Sequence, residues 1–356
     1  MNAKPRLFIL RKDFYADDEM IITISHLGYI KRTPLTEFRT QNRGGVGAKG
    51  SDTRDEDFIE YIYPASMHNY MLFFTQKGKC FWLKVYEIPE GAKNSKGRAI
   101  QNLLNIDADD KVNAFIRVKK LQDPEYNLTH NLVFCTKKGV IKKTRLEAYS
   151  RPRTNGVNAI TIREDDQVIQ VRLTTGNSEI IMANREGRAI RFHETTVREM
   201  GRTATGVRGM TLDESVNDEV VGMICVNDPE TETIMVVSEQ GYGKRSEIED
   251  YRITNRGGKG VKTLNITPKT GKLVAIKNVT DENDLVIINK SGITLRIKVA
   301  DIRVMGRATQ GVRLINLEKR NDEIASVCKV ASESSEFTDT IENQENNTEI
   351  NSDFEK

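Results

Sequence analysis

Long apolar runs are missing from this sequence, and so is a signal-peptide pattern, so nothing in it argues for export or membrane insertion. Cysteine is scarce. Cys80, Cys135, Cys225 and Cys328 form no CxxC pair, and they read as small buried hydrophobes in a reduced compartment rather than as disulfide partners. The four histidines, His26, His68, His130 and His193, show no HxxxH spacing and no nearby carboxylate cluster, so the sequence offers no metal site. Aromatics make up only 6% of the chain and do not interleave with cations, which speaks against stacking on single-stranded bases. Hydrophobic content is 38%, too low for one large core but sufficient for thin sheets packed around an axis. No stretch shows a helical period, and no Ser/His/Asp or Cys/His set recurs at catalytic spacing.

What is present is a repeat. Six apolar strands run into a glycine turn at Gly28, Gly78, Gly139, Gly187, Gly241 and Gly292. A second glycine follows 17 or 19 residues later, at Gly47, Gly97, Gly156, Gly206, Gly260 and Gly311. The repeat length of 48 to 61 residues is that of a propeller blade. First strands are expected at 20–25, 70–75, 131–136, 179–183, 233–238 and 285–289, each turning on glycine into a return strand such as 140–145 or 293–298. Third strands are expected at 98–103, 157–162, 207–212, 261–266 and 312–317. Fourth strands are expected at 112–118, 168–173, 220–226, 273–279 and 324–330, with 58–63 as a looser version in the first unit. Four strands in six units give an all-β, six-bladed radial array. Residues 1–16 read as a leader, 17–331 as the array, 119–129 as a longer connection and 332–356 as a disordered acidic tail.

Two motifs mislead. Gly45-Val46-Gly47-Ala48-Lys49-Gly50 matches GxGxxG but sits in no βαβ unit, and Ser51 stands where a phosphate loop needs lysine. The carboxylate pairs Asp109-Asp110 and Asp165-Asp166 precede fourth strands and read as turn residues.

Charge is uneven. The whole chain carries +3, yet residues 332–356 hold eight acids against one base, −7, which leaves +10 on the rest. A basic body with an acidic tail suits an anionic partner and an intramolecular competitor for it. Four residues past the hairpin glycine stands a cation in five units, Arg32, Lys143, Arg191, Arg245 and Arg296, with Trp82 as the exception. Lys31, Lys142, Arg145, Lys244 and Lys298 add charge beside them. Alternation along a strand accounts for some of these as solvated surface positions. Recurrence at one structural position predicts more: a ring of positive charge, suited to the backbone of duplex DNA with its one phosphate per ~1.7 Å of axis. The segment Gln41-Asn42-Arg43-Gly44-Gly45-Val46-Gly47 adds a glycine-rich loop whose backbone can approach a phosphate.

That segment resembles the seven-residue box of the DNA gyrase A family, Gln-(Arg/Lys)-Arg-Gly-Gly-(Arg/Lys)-Gly, with Asn42 and Val46 departing from it and Lys49 a candidate substitute cation. Thr254-Asn255-Arg256-Gly257-Gly258-Lys259-Gly260 is a partial copy in the fifth unit. The run from Asp17 to Lys31 looks like the entry to that family's first blade. Met200-Gly201-Arg202 with Gly206-Val207-Arg208-Gly209, and Met305-Gly306-Arg307 with Gly311-Val312-Arg313, look like its later blade motifs. The resemblance covers residues 13–331. It implies a β-pinwheel that exchanges strands between blades and wraps DNA on its outer rim, as a non-catalytic part of an ATP-dependent topoisomerase. It also implies Gln41, Arg43, Gly44, Gly45, Gly47, Arg256 and Lys259 as DNA contacts, and because Val46 lacks charge Lys49 is expected to supply part of the missing cation. The remainder of gyrase A and the whole of gyrase B are the implied partners, with ATP and Mg belonging to the holoenzyme and no cofactor in this chain. The implied location is the bacterial cytoplasm, at the nucleoid. Two rivals stand beside this reading: the C-terminal DNA-binding domain of the topoisomerase IV counterpart of gyrase A, and a propeller scaffold for protein–protein interaction.

Overall fold

A computed structural model describes residues 15–38, 57–291, 294–317 and 322–331. The leader to residue 14, the box residues Gln41, Arg43, Gly44, Gly45, Gly47 and Lys49, and the acidic tail lie outside these residues.

Six antiparallel sheets form the blades. Each begins with a hairpin of two strands: Glu19–Ser25 with Tyr29–Pro34, Tyr70–Thr75 with Lys79–Lys84, Asn131–Thr136 with Val140–Arg145, Glu179–Asn184 with Arg188–His193, Thr233–Ser238 with Tyr242–Glu247, and Asn283–Asn289 with Thr294–Lys298. A short 3-10 helix follows each hairpin, for example Leu146–Tyr149 and Ile248–Asp250. The fourth strand of each repeat, here the axial strand, pairs with the first hairpin strand of its own blade. The axial strands are Ile59–Ser66, Val112–Val118, Val168–Thr174, Val220–Val226, Leu273–Val279 and Ile324–Ala331. From the second blade onward they pack on one another in sequence, and the sixth packs back onto the first, so the ring closes.

The third strands differ most from the sequence expectation. Each is two residues long, not six: Arg98–Ala99, Val157–Asn158, Val207–Arg208, Val261–Lys262 and Val312–Arg313. After two residues the chain turns inward to bury groups such as Ile160, Met210 and Leu264 between blades. Each of these strands also adds to the hairpin of the preceding repeat, not its own. Every blade except the sixth therefore shows four described strands, in the order axial, first hairpin, second hairpin, rim. Gly97 shows why glycine precedes the rim strand. Its φ is +83°, and a Cβ there would lie 2.6 Å from the Ile30 carbonyl oxygen of the neighbouring blade.

The apolar residues form no single core. Separate clusters sit between successive blades; Leu72, Phe74, Phe134 and Tyr149, for instance, join the second blade to the third. The connection between those blades holds one short α-helix, Pro124–Thr129, where the sequence pattern predicts only a long connection. Asp123 caps it by accepting from the backbone N–H groups of Glu125 and Tyr126, and Pro124 fits its first turn. The recurring aspartates are turn residues, as expected. Asp110 accepts from the N–H groups of Lys77 and Lys111, and Asp166 from those of Lys138 and Gln167. All four cysteines are free and buried.

Candidate nucleic-acid interface

The cations four residues past the hairpin glycine do not form an exposed ring. Arg32, Lys143, Arg191 and Arg245 are all buried, the most exposed of them, Arg32, at 7%. Their polar groups reach into the following repeat. Lys143 Nζ donates to the Glu194 carbonyl at 3.0 Å. Arg191 donates to the carbonyls of Ile248 and Tyr251, and Arg245 to that of Val299. In each case the acceptor lies in or just after the next blade's 3-10 helix. Trp82 makes the same bond from its indole N–H to Tyr149 O at 3.0 Å. Arg32 departs from the pattern and pairs with Glu90 at 3.1 Å. The shared backbone strengthens the link: Arg32, Lys143, Arg191 and Arg245 all form parallel bridges to the chain of the following repeat.

One position earlier, the first, third and fifth blades carry lysine and the second and fourth carry the buried apolar Phe81 and Ile190. Lys31 donates to the carbonyls of Ala92, Lys93 and Ser95. Lys142 reaches those of Ala159 and Arg202, and Lys244 those of Gly306 and Arg307. Burial lowers the pKa of Lys142 to about 7, with the nearby Arg202 charge adding to the effect. Burial likewise brings Lys31 and Lys244 down to about 8, against smaller opposing contributions from Glu37 and Asp250. The expected belt is thus corrected at Lys31, Arg32, Lys142, Lys143, Arg191, Lys244 and Arg245. A buried cation needs several acceptors, and the exchanged loops supply them.

The other expected positions do reach the surface. Arg145 is exposed and pairs with Glu199 at 2.6 Å. Arg296 pairs with Asp284 at 2.7 Å, and Lys298 is exposed near it. Lys259 is exposed, whereas Arg256 is partly buried.

Exposed positive charge gathers instead where strand exchange places the chain outermost. The second residue of the rim strand is Arg208, Lys262 and Arg313 in three units, all exposed, and the rim strand Arg98–Ala99 carries exposed Arg98 one position earlier. The rim loops are stapled to one another by arginine. Arg202 donates to Asn158 O, Arg256 to Arg208 O at 3.0 Å, and Arg307 to Lys262 O at 2.8 Å. Each staple joins one rim strand to the loop of the next repeat, and so fixes the spacing between neighbouring charges. Between two such loops lies an open cleft of about 560 Å³ whose lining includes Arg145, Arg151, Arg153 and Arg202, with Glu147 and Glu199. Arg208 and Arg313 stand out in the sequence as parts of blade motifs, but their role as an outer track does not, because charge two past the second glycine acquires that meaning only when the exchanged strand is known to be outermost.

Comparison with known proteins agrees with this architecture. The family described as DNA gyrase C-terminal domain, beta-propeller, matches at residues 19–66, 69–119, 130–175, 178–227, 232–280 and 283–328, one match per blade. The DNA gyrase A protein of Staphylococcus aureus strain NCTC 8325 is 44% identical over 331 residues, covering 93% of this chain and 36% of that protein. The chain therefore spans little more than a third of that relative. A crystal structure of the C-terminal domain of DNA topoisomerase IV matches with a TM-score of 0.79 and 26% identity, over 92% of this chain and 99% of the other. The DNA gyrase A C-terminal domain matches with a TM-score of 0.64 and 25% identity, over 88% and 99%. Six family matches in register with six strand-exchanged blades, together with 44% identity to a gyrase A protein, place this chain in the family of the DNA gyrase A C-terminal domain.

Proposed function

We propose that this chain binds duplex DNA along its outer rim and bends it around the ring, as the wrapping part of gyrase A. Joined to the remainder of gyrase A and to gyrase B, the wrap would direct strand passage toward negative supercoiling. ATP and Mg²⁺ would act through those other parts. The proposed setting is the bacterial cytoplasm, at the nucleoid.

The observation that carries this reading is the placement of Arg98, Arg208, Lys262 and Arg313 on the outermost strands of their blades. Charges at repeated positions on a curved rim present a curved track to a phosphate backbone. Bending ~40 bp through about 180° costs on the order of 10 kcal/mol, so contacts must be spread over several blades to offset it. The buried cations of the blade seams serve this indirectly, by holding the rim strands in place. The box residues Gln41, Arg43, Gly44, Gly45, Gly47 and Lys49 remain proposed contacts at the first blade.

The test is duplex affinity as a function of length and salt, followed by ligation of nicked circles in the presence of the protein. Wrapping predicts tighter binding to ~40 bp than to ~15 bp beyond the gain in site number, a steep salt dependence, and positive supercoils after ligation. Equal affinity per site at both lengths and unchanged circle topology would sink it. Binding without supercoils would favour the topoisomerase IV type of domain; no duplex binding at low salt would favour a protein scaffold.

A further inference from the structure

Ring closure brings together three side chains that are far apart in sequence. His26 lies in the first hairpin turn, Glu60 on the first axial strand and Cys328 on the sixth. His26 Nδ1 is 2.9 Å from Glu60 Oε2 and 3.8 Å from Cys328 Sγ. All three ligating atoms lie within 4.8 Å of one another. The sequence showed no metal-ligand set because 302 residues separate His26 from Cys328.

We propose that His26, Glu60 and Cys328 bind a zinc ion that clamps the sixth blade to the first. Tetrahedral zinc with bonds of ~2.3 Å to sulfur and ~2.0–2.1 Å to nitrogen and oxygen sets S···N near ~3.6 Å and N···O near ~3.3 Å. The His26–Glu60 and His26–Cys328 spacings are within a few tenths of an ångström of those values, and the Cys328–Glu60 pair lies within 4.8 Å. Thiolate with imidazole and carboxylate is a donor set that favours zinc over magnesium or calcium. Three protein ligands leave the fourth position to water. Charge balances as well: neutral imidazole, carboxylate and thiolate neutralise a dication, and binding displaces the imidazolium and thiol protons. Burial pushes the Cys328 thiol well up and the Glu60 charge adds to this, with Lys277 on the neighbouring axial strand opposing. Glu60 is held low despite its burial by its hydrogen bond to His26, and the same bond raises the imidazole, so the metal has to displace both protons.

The repeat itself argues that the set is not a by-product of the fold. Glu60 occupies the bulge that every axial strand carries near its start, where a side chain is re-aimed. The positions equivalent to His26, Glu60 and the preceding blade's Cys328 are Gln76, Asn113 and Tyr63 at the next seam, and Lys137, Ile169 and Ile116 at the one after. Later seams hold Arg185, Val221 and Arg172, then Glu239, Val274 and Ile224, then Lys290, Ala325 and Lys277. Among the described residues only the closing seam unites His, Glu and Cys. At that seam Val286, Cys328 and Val330 pack against Phe58 and Ile288, and Phe58 stacks on the His26 ring at 5.0 Å.

The test uses the full chain, stripped by a chelator and then titrated with Co²⁺ as a spectroscopic probe and Zn²⁺ as a competitor. The expected result is one equivalent of Co²⁺ with a thiolate-to-cobalt charge-transfer band and tetrahedral d–d bands, bleached by Zn²⁺. Cys328→Ser, Glu60→Gln and His26→Gln should each lose the band, while Cys135→Ser should keep it. Zn²⁺ should raise the thermal midpoint of the wild type and leave that of Cys328→Ser unmoved. Circular dichroism of each metal-free variant checks the fold. If His26→Gln fails to fold, Cys328→Ser decides alone, since serine fits the cysteine site. A folded wild type without the charge-transfer band, or a band that persists in Cys328→Ser, overturns the proposal.

Discussion

The indole N–H of Trp82 donates to the carbonyl of Tyr149 at 3.0 Å, across the seam between the second and third blades. The corresponding bond two seams later runs from Arg191 to Tyr251 O at 2.9 Å. A residue that broke the cation pattern in the sequence therefore does the same work as the cations. The shared property is a long side chain ending in an N–H donor, able to reach the next blade's 3-10 helix. Where the residue is arginine, its charge adds ion pairs to that shared role, from Arg191 to Glu179 and from Arg245 to Asp281.

Loss of these donors is expected to loosen the blades. Trp82→Phe keeps most of the ring packing but orphans a buried carbonyl, and should cost about 1–2 kcal/mol. Arg191→Ala leaves two carbonyls and the Glu179 carboxylate without their cation, and should cost about 3–5 kcal/mol. Urea denaturation measures both. A change below a few tenths of a kcal/mol in Arg191→Ala would contradict the latch.

Rim charges are expected to behave in the opposite way. The exposed Arg208 and Lys262 side chains carry no core packing, so Arg208→Ala with Lys262→Ala should leave the thermal midpoint within about a degree of wild type. Each removed phosphate contact should lower the slope of log affinity against log salt by about 0.9, and weaken binding uniformly across sequences. A double variant with unchanged salt slope would remove these residues from the interface.

The buried lysines predict a pH dependence. In the unfolded chain a lysine titrates near ~10.4, whereas burial brings Lys142 to about 7 and Lys244 to about 8. Between these values the unfolded state holds more protons than the folded one, so stability rises with pH. The burial cost is fully present below about pH 7, where both states are charged. The urea midpoint of the wild type should therefore climb from about pH 7 to about pH 9.5 more steeply than that of Lys142→Met. Parallel pH profiles would show that the Ala159 and Arg202 carbonyls keep the ammonium charged.

The acidic C-terminal segment should compete with DNA. Residues 332–356 carry −7 and are tethered to a body of +10, so their effective concentration near the rim is high even at weak intrinsic affinity. Truncation after Ala331 is expected to raise duplex affinity at low salt, with the gain fading as the Debye length shrinks to ~8 Å. Unchanged affinity at low salt would reduce the segment to a solubilising extension, and a loss would contradict both readings.

The sequence by itself determined the number of blades, the hairpins and the axial strands, because alternation and a turn glycine are local properties that repeat. Strands such as Asn131–Thr136, Val112–Val118 and Leu273–Val279 lie where the pattern put them. The family was legible for the same reason, from glycines and arginines at fixed offsets. Only the tertiary structure decided which cations meet solvent. Lys142 and Arg208 are both basic residues in a strand of the same repeating pattern, yet one is fully buried against exchanged backbone and the other is exposed on the outermost strand. Periodicity gives the face a side chain takes within its strand. It does not say that residues after each second glycine join the previous blade, nor that closing the ring puts Cys328 beside His26. Those are consequences of pairing between distant segments, which no local pattern encodes.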